Sequence, residues 1–336
     1  MEYPDNHSKY SHLKSEISQL LKAGREQAGR AVNSILVQTY WHIGRHIVEF
    51  EQGGEAKSEY GSNLLDRLSR DLTLEFGKGF SRSNLVYMRK FFLSFPISET
   101  LSHKLSWSHY FEILKSDEAL EISFYSKQCE KENWSVRELK RQMKSMLFHR
   151  LALSKAKEDI LHLSQKGAEL QQAKDLIKDP YVFEFLGLKS QTNYTEGELE
   201  TELIKNLQSF LLELGKGFAF IGKQYRISLA NRHFYVDLVF YHRILKCFVL
   251  IDLKRGEIDH QDIGQMNLYL NYFRKEENVE GDNPPIGIVL GAFKDHILVE
   301  YATENISNQL FVSKYQLYLP EKEELAHELE RLLTKD

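Results

Sequence analysis

Asp237, Asp252 and Lys254 are the side chains best placed to do chemistry, because they lie inside two segments that otherwise read as buried β-strands. Residues 234–241 and 247–254 are rich in β-branched and aromatic side chains, which favours strands. Side chains alternate along a strand, so Asp252 and Lys254 point to the same face, and antiparallel pairing across the intervening turn brings Asp237 near them. Two carboxylates and one ammonium suit a hard divalent cation and a group that handles an attacking water.

The same residues also have a simpler interpretation, a buried ion pair in a domain that only binds. Asp and Lys are rarely buried without a partner, and Asp252 could pair with Lys254 or with Asp237. An acidic residue two positions before a lysine occurs by chance in most proteins. The residue types alone therefore leave a metal site and a structural ion pair both open.

A helix predicted over residues 195–214 supplies another acidic group. Thr195 and Glu198 have the spacing of a capping box at its start. At about 100° per residue, Glu196 and Glu200 both fall inside the apolar arc of this helix. A Glu on a core-facing stripe needs a partner, and a metal site is a good one. We expect Glu200 to reach the pocket, because Glu196 lies in the first turn, which frays.

The order of predicted elements is a helix, three strands, a second helix over residues 259–273 that carries Gln265, and a further strand. This order resembles the core of the PD-(D/E)xK nuclease superfamily. Residues 236–237 stand for the PD half of its motif and residues 252–254 for the (D/E)xK half. Val236 replaces the proline of the superfamily name, and that proline does no chemistry.

The whole chain also resembles the bacterial YhcG-like family of proteins with a PDDEXK nuclease domain. This likeness is much more specific than the short motif, because it covers nearly all of the sequence. The segments that carry it, besides the motif, are Tyr40–Gly44, Gly77–Ser81, Leu105–Tyr110, Trp134–Leu139, Asp179–Tyr181 and Gly264–Leu270.

The resemblance implies phosphodiester hydrolysis that depends on Mg²⁺, or on Mn²⁺ in its place. Lys254 is then expected to orient the attacking water or help to deprotonate it. Gln265 is expected to position Lys254 or the phosphate. The metal ligands that the resemblance implies are Asp237, Asp252, the Leu253 carbonyl and, directly or through water, Glu200.

The fold expected from the sequence is α+β with two domains. A length of 336 residues is enough for two hydrophobic cores. Residues 1–150 predict an all-helical domain, residues 151–174 a polar helical linker, and residues 175–336 an α/β core like that of restriction endonucleases. The linker has an amphipathic pattern compatible with a coiled-coil arm or a homodimer contact.

A helix-turn-helix outline lies in the N-terminal half, where residues 64–75 predict one helix and a second follows a glycine-containing turn. The second helix carries Arg82, Arg89 and Lys90, which we expect to contact phosphates and base edges of DNA. The alternative is a helical packing module whose cations are merely solvated.

Charge and cysteine content narrow the functional classes. The net charge is −4, and residues 171–336 hold 19 Lys and Arg against 26 Asp and Glu, so DNA binding must use local patches, chiefly in the N-terminal half. Two scattered cysteines argue against a disulfide framework or a zinc site. No run is apolar enough for a membrane span or a signal peptide, which suits a cytoplasmic protein without a membrane partner.

Three functions stay open from the sequence. The first is a Mg²⁺-dependent DNA endonuclease, in which every motif residue is used. The second is a DNA-binding or assembly protein with an inactive or auxiliary nuclease fold. The third is a nuclease that acts on RNA, which the sequence favours least because no RNA-binding motif is visible.

Overall fold

The computed structural model describes residues 6–52, 63–98, 101–153, 157–188, 194–293 and 309–319, together with positions 325, 327 and 329. The chain separates into two compact units, Met1–Lys140 and Arg141–Asp336. Among the described residues, no helix combines the length and the apolar character that a membrane crossing needs.

The first unit is helical, as predicted. Ser81 begins the third of its helices, because its hydroxyl accepts a hydrogen bond from the Asn84 N–H at 3.3 Å. The apolar spacing predicts that Phe76 is buried, and that prediction is wrong: Phe76 is 63% exposed at the helix end, where Gly77 stops the second helix. The described helices are α1 (Asn6–Gln52), α2 (Leu64–Phe76), α3 (Arg82–Ser94), α4 (Trp107–Ile113), α5 (Ala119–Glu132) and α6 (Val136–Lys144). The last of them, α6, runs into the second unit.

The second unit is a mixed α/β domain. Its helices are α7 (Leu147–Leu153), α8 (Lys157–Lys166), α9 (Glu196–Lys205), α10 (Leu207–Leu214) and α11 (His260–Tyr272), with 3₁₀ turns at Ala173–Leu176 and Glu184–Leu186 and a π-turn at Phe273–Glu277. Its strands are β1 (Tyr181–Val182), β2 (Phe218–Leu229), β3 (Arg232–His242), β4 (Cys247–Glu257), β5 (Ile286–Phe293) and β6 (Leu310–Gln316).

The strands form one sheet in the order β1-β6-β5-β4-β3-β2. Pairing is antiparallel from β2 to β4 and parallel from β4 through β5 and β6 to β1. The run α9, β2, β3, β4, α11, β5 reproduces the order of elements predicted from the sequence, and the α+β fold class is confirmed.

Helices cover both faces of this sheet. Apolar side chains of α9 and α10 pack on one face, against alternate residues of β3 and β4. Residues of α11 pack on the other face, beside Val239 and Leu250. Gly287 lets α11 approach β5 closely, because a Cβ there would lie 2.7 Å from the Met266 side chain. The sheet is therefore the middle layer between helices on its two faces.

Two predicted helices are shorter than expected. The helix predicted over residues 195–214 breaks at Asn206, whose backbone departs from helical geometry (φ −106°, ψ 29°). The predicted linker helix ends at Lys166, where Gly167 takes a left-handed conformation (φ 72°). The predicted domain boundaries at residues 150 and 174 stay predictions; the chain divides at Lys140, ten residues before the first of them.

A buried ion pair joins α7 to α10 within the second unit. Arg150 and Glu213 are both fully buried, and Arg150 Nη1 donates to Glu213 Oε1 at 2.5 Å. The same guanidinium donates to the Ser145 and Pro180 carbonyls, at 2.7 and 3.1 Å. Burial would raise the pKa of Glu213, but the charges of Arg150 and Lys178 outweigh it and lower that pKa.

We expect Glu213→Ala to lower the free energy of unfolding by about 3–5 kcal/mol, because it leaves a buried guanidinium without its counter-ion. Glu202→Ala is the matched control: it breaks an exposed pair with Lys205 and should change stability by less than about 1 kcal/mol. Chemical denaturation measures both. Equal losses of stability in the two variants would contradict the importance of the buried pair.

Candidate active site

The hydrogen-bonded pairing between β3 and β4 ends beside Asp237. Pairing of β3 with β4 runs from His242 and Cys247 to Leu238 and Ile251 and stops there. One residue further, Asp237 Oδ2 accepts a hydrogen bond from the Leu253 N–H at 2.7 Å. The carboxylate therefore takes the place of a ladder partner and is held against the backbone of β4.

Asp252 and Lys254 lie on β4 beside this opening. Asp252 is only 3% exposed, and Lys254 Nζ lies 2.9 Å from its Oδ2. That contact is an ion pair that lacks hydrogen-bond alignment, so Asp252 Oδ2 is buried without a hydrogen-bond partner among the described residues. Lys254 Nζ also lies 3.6 Å from Asp262 Oδ1, in the first turn of α11.

Burial raises the pKa of both Asp237 and Asp252. Burial is the main cause that raises the pKa of Asp252 to about 7, and the nearby charge of Asp237 is the second. Burial also raises the pKa of Asp237, against the opposing hydrogen bond from Leu253 and the charge of Lys254. A bound cation would relieve the repulsion from Asp237 that helps to raise the pKa of Asp252.

The side-chain amine of Lys254 stays protonated. Burial acts to lower its pKa, but the nearby charge of Asp252 acts against burial, and the charges of Asp262 and Glu196 add to the increase. The net effect is a pKa above the ordinary lysine value. Lys254 is therefore suited to donate hydrogen bonds and positive charge, and in this state it has no lone pair with which to accept a proton.

The Glu200 carboxylate is linked to Asp237 through the side chain of Gln224. It is 7% exposed, and its Oε2 accepts a hydrogen bond from Gln224 Nε2 at 2.6 Å. The same nitrogen donates to Asp237 Oδ1 at 3.1 Å. Glu196 instead accepts from the Arg255 N–H at 3.0 Å and is exposed. The structure thus brings Glu200 to the Asp237 side of the pocket, with Gln224 between the two carboxylates.

Gln265 lies near the pocket but turns toward Tyr269. Its Nε2 donates to the Tyr269 hydroxyl at 2.5 Å, and that hydroxyl donates to the Tyr235 carbonyl at 3.0 Å. No hydrogen bond joins Gln265 to Lys254 in the described part of the chain. Burial, then the charge of Asp252, raises the pKa of Tyr269 to about 12, so the hydroxyl keeps its proton and ties α11 to β3.

The donor set suits Mg²⁺. Within the described ranges, no group of three or more His, Cys, Asp and Glu side chains forms a ready-made metal cage. Mg²⁺ does not need one, because it keeps several waters and is usually held by one or two carboxylates and the substrate phosphate. Asp237 and Asp252 supply two carboxylates, and the unpartnered Asp252 Oδ2 is an available ligand atom.

The three cations predicted to contact DNA are engaged within the first unit. Arg82 lies 3.1 Å from Asp66 Oδ1, and Arg89 lies 2.6 Å from Glu51 Oε2. The Lys90 ammonium lies 2.6 Å from the Asp117 carboxylate and donates to the Ser116 carbonyl at 2.7 Å. DNA contact by these residues stays a prediction, and it would require the pairs to open.

Two residues of the pocket were not singled out from the sequence, Gln224 and Asp262. Asp262 carried a usable signal, because it lies three residues after Asp259 and completes a capping box at the start of α11. That position lies one turn beyond the end of β4, close to Lys254. Gln224 carried none, because its place opposite Asp237 depends on the register of β2 and β3.

Comparison with known proteins identifies the family of the chain. A family model described as the YhcG PDDEXK nuclease domain matches residues 174–330, and the DUF1016 N-terminal domain matches residues 16–150. A relative from Escherichia coli (strain K12), named "Putative nuclease YhcG", is 38% identical over 354 residues, which cover 96% of this chain and 94% of the relative.

Solved structures give only distant likenesses. A repair endonuclease from Pyrococcus abyssi has a TM-score of 0.28 and 20% identity, and the match covers 39% of this chain and 50% of that one. A complex titled EndoMS-dsDNA2 has a TM-score of 0.26 and 15% identity, over 40% of this chain and 51% of that one. Scores this low carry no argument about this protein.

We expect Mg²⁺ affinity to rise with pH up to about 7 and then to level off. Because the pKa of Asp252 is raised to about 7, a cation must displace a proton below that pH. At a pKa of about 7, half of the Asp252 carboxyl is deprotonated at pH 7 and about one part in eleven at pH 6, so binding should be roughly fivefold weaker at pH 6 than at pH 7. Isothermal titration at pH 6, 7 and 8 measures this, with Asp252→Asn as the control that lacks the titrating group. Affinity that is flat or higher at low pH would contradict the assignment.

Proposed function

The chain belongs to the YhcG family of proteins with a PDDEXK nuclease domain, and from this membership and the pocket we propose that it is a divalent-metal-dependent DNA endonuclease. The observation that carries the proposal is the pair of the half-buried Asp237 and the buried Asp252, with the Lys254 ammonium beside it, where β3 leaves β4. A structural ion pair needs one carboxylate for one ammonium, and this pocket holds a second carboxylate that nothing neutralises fully.

Asp237 and Asp252 hold the cation through carboxylate oxygens, and the Leu253 carbonyl and Glu200 are the further ligands we propose. When bound, the divalent cation stabilises charge on the phosphate and lowers the pKa of an attacking water. The chain's own ammonium, Lys254, then donates to that water or to a phosphate oxygen and stabilises the developing negative charge.

Internal cleavage is supported by the position of the site. Glu196 and Gln224, at the rim of the pocket, are exposed to solvent. A continuous strand can reach Asp237 and Asp252 from that side without threading a chain end. Gln265 acts in this account through Tyr269, by fixing α11 and with it Asp262 and Lys254.

We expect Lys254→Ala to slow nicking of supercoiled plasmid by about 100-fold or more, because removal of one transition-state donor typically costs that much. Agarose electrophoresis of nicked and linear products measures the rate, with Mg²⁺ or EDTA present. Lys275→Ala is the control, since it removes an exposed lysine far along the chain from the pocket.

Three results are informative. Nicking that persists in EDTA, or at the wild-type rate in Lys254→Ala, would contradict a metal-dependent reaction at this site. Wild-type protein that binds DNA but never cuts it would support the alternative, a DNA-binding or assembly protein with an inactive nuclease fold.

A further inference from the structure

The hairpin of β2 and β3 extends beyond the part of the sheet that β4 supports. Pairing of β3 with β4 ends at Leu238, whereas pairing of β2 with β3 continues to Leu229 and Arg232. Ala230 and Asn231 close the tip with φ of 46° and 62°, as a tight two-residue hairpin turn requires. Residues 223–236, the ribbon, therefore extend the hairpin as two strands without support from β4.

One face of the ribbon is covered by its own domain. Ile227 and Val236 are fully buried in the apolar cluster around α11, and Tyr225 and Phe234 pack against the same cluster. This packing fixes the ribbon on the sheet and leaves its outer face to solvent.

The outer face is polar and leads directly to the pocket. Arg226, Ser228 and His233 are exposed on it, and Tyr235 is 47% exposed. These residues share the face of Gln224, which donates to Asp237 at 3.1 Å. A molecule that lies along this face therefore arrives at the carboxylate.

A backbone irregularity adds a further cation to this face. Gln224 has a φ of 46°, and it interrupts the alternation of buried and exposed residues along β2. As a result Lys223 and Gln224 are both exposed. Lys223 is close enough to Glu200 to lower the pKa of that carboxyl, although burial remains the larger effect and raises it.

The ribbon is basic in an acidic half of the chain. Residues 223–236 contain three Lys and Arg and no Asp or Glu, whereas residues 171–336 as a whole hold 19 against 26. The Arg226 guanidinium lies against the ring of His233, at 2.9 Å. Among the described residues, Lys223, Arg226 and Arg232 form no ion pair with a carboxylate, unlike the cations of α3. Their charge is available to an external anion.

The dimensions favour duplex DNA. A two-stranded β-ribbon fits the major groove of B-DNA, which is about 12 Å wide, whereas the major groove of duplex RNA is too deep and narrow for side chains to read. From Arg232 to Asp237 the ribbon spans about 17 Å, at roughly 3.3 Å per residue. A phosphate bound at Arg232 would then lie about half a helical turn of DNA from the phosphodiester bond at the carboxylates.

We propose that the outer face and the tip of the ribbon bind duplex DNA, with Lys223 and Arg226 on the outer face and Arg232 at the tip contacting phosphates, and that they so guide one strand to Asp237. The step from binding to cleavage rests on the proposed nuclease function. The binding itself does not.

The test compares two variants that each remove three positive charges. The ribbon variant carries Lys223→Gln, Arg226→Gln and Arg232→Gln. The control variant carries Arg243→Gln, Lys246→Gln and Arg274→Gln, three exposed residues at the opposite end of β3 and α11. Affinity for a labelled 30-base-pair DNA duplex is measured in EDTA over a range of salt concentrations, after thermal unfolding has shown that both variants fold.

We expect the ribbon variant to bind DNA at least tenfold more weakly than wild type. The slope of log affinity against log salt should fall by about 0.9 for each phosphate that the variant no longer neutralises, or about 2.7 for three phosphates. The control variant should keep most of the wild-type slope, and wild type should bind an RNA duplex of the same sequence more weakly than DNA.

The outcomes separate the two proposals. A ribbon variant whose affinity and slope fall no further than those of the control overturns the DNA-binding ribbon, even if the protein cuts plasmid. Equal or tighter binding of the RNA duplex overturns the assignment to DNA. Ribbon-dependent DNA binding by a protein that never cuts supports the ribbon and refutes the nuclease function. If unfolding of the triple variant prevents the comparison, Arg232→Glu at the tip replaces it, with the same result expected and Lys246→Glu as its control.

Discussion

Two neighbouring carboxylates with little access to water are the constraint on which the candidate site depends. Asp252 is almost inaccessible, and the nearby charge of Asp237 helps to raise the pKa of its carboxyl. Like charges in a poorly solvated site repel, so the pair favours binding a proton or a cation. Lys254 supplies one positive charge, and a divalent cation supplies what is missing. The pocket is therefore unfavourable when empty and deprotonated, and it is suited to bind Mg²⁺ for that reason.

The surrounding elements hold this unfavourable arrangement in place. The Leu253 N–H fixes Asp237 where the β3–β4 ladder ends. Asp262 has two contacts, because one oxygen accepts the Asp259 N–H at the start of α11 and the other faces Lys254. Close packing of α11 on the sheet, which Gly287 permits, keeps that helix start at the pocket. Packing of the core thus stabilises the folded state and offsets the free-energy cost of placing these carboxylates where water has little access.

The features that sequence could predict are those set by local periodicity. The alternation of side chains between the two faces of a strand predicted the hairpin and the placement of Asp237 and Asp252. The observed pairing of β3 with β4 from Leu238 to His242 confirms the hairpin. The spacing of Thr195 and Glu198 predicted a capping box, which the hydrogen bonds between them confirm. Each of these depends on neighbours within a few residues along the chain.

The features that could not be predicted depend on contacts across the chain. The apolar spacing continues through Asn206, so periodicity could not show that the helix breaks there. Gln224 bridges two carboxylates only because of its positive φ and its strand register, and neither has a sequence signature. The family resemblance implied that Gln265 positions Lys254 or the phosphate, whereas in the structure its amide donates to the Tyr269 hydroxyl.

Thermal unfolding at pH 8, with and without Mg²⁺, tests most directly whether the Asp237–Asp252 pair is a cation site. At that pH the raised pKa of Asp252 means that its charged form disfavours folding, so Asp252→Asn should leave the Tm of the metal-free protein unchanged or higher. Mg²⁺ should raise the Tm of wild type in a concentration-dependent way and should not raise that of the variant. A variant that is several degrees less stable without metal, yet still gains the wild-type increase from Mg²⁺, would contradict the account.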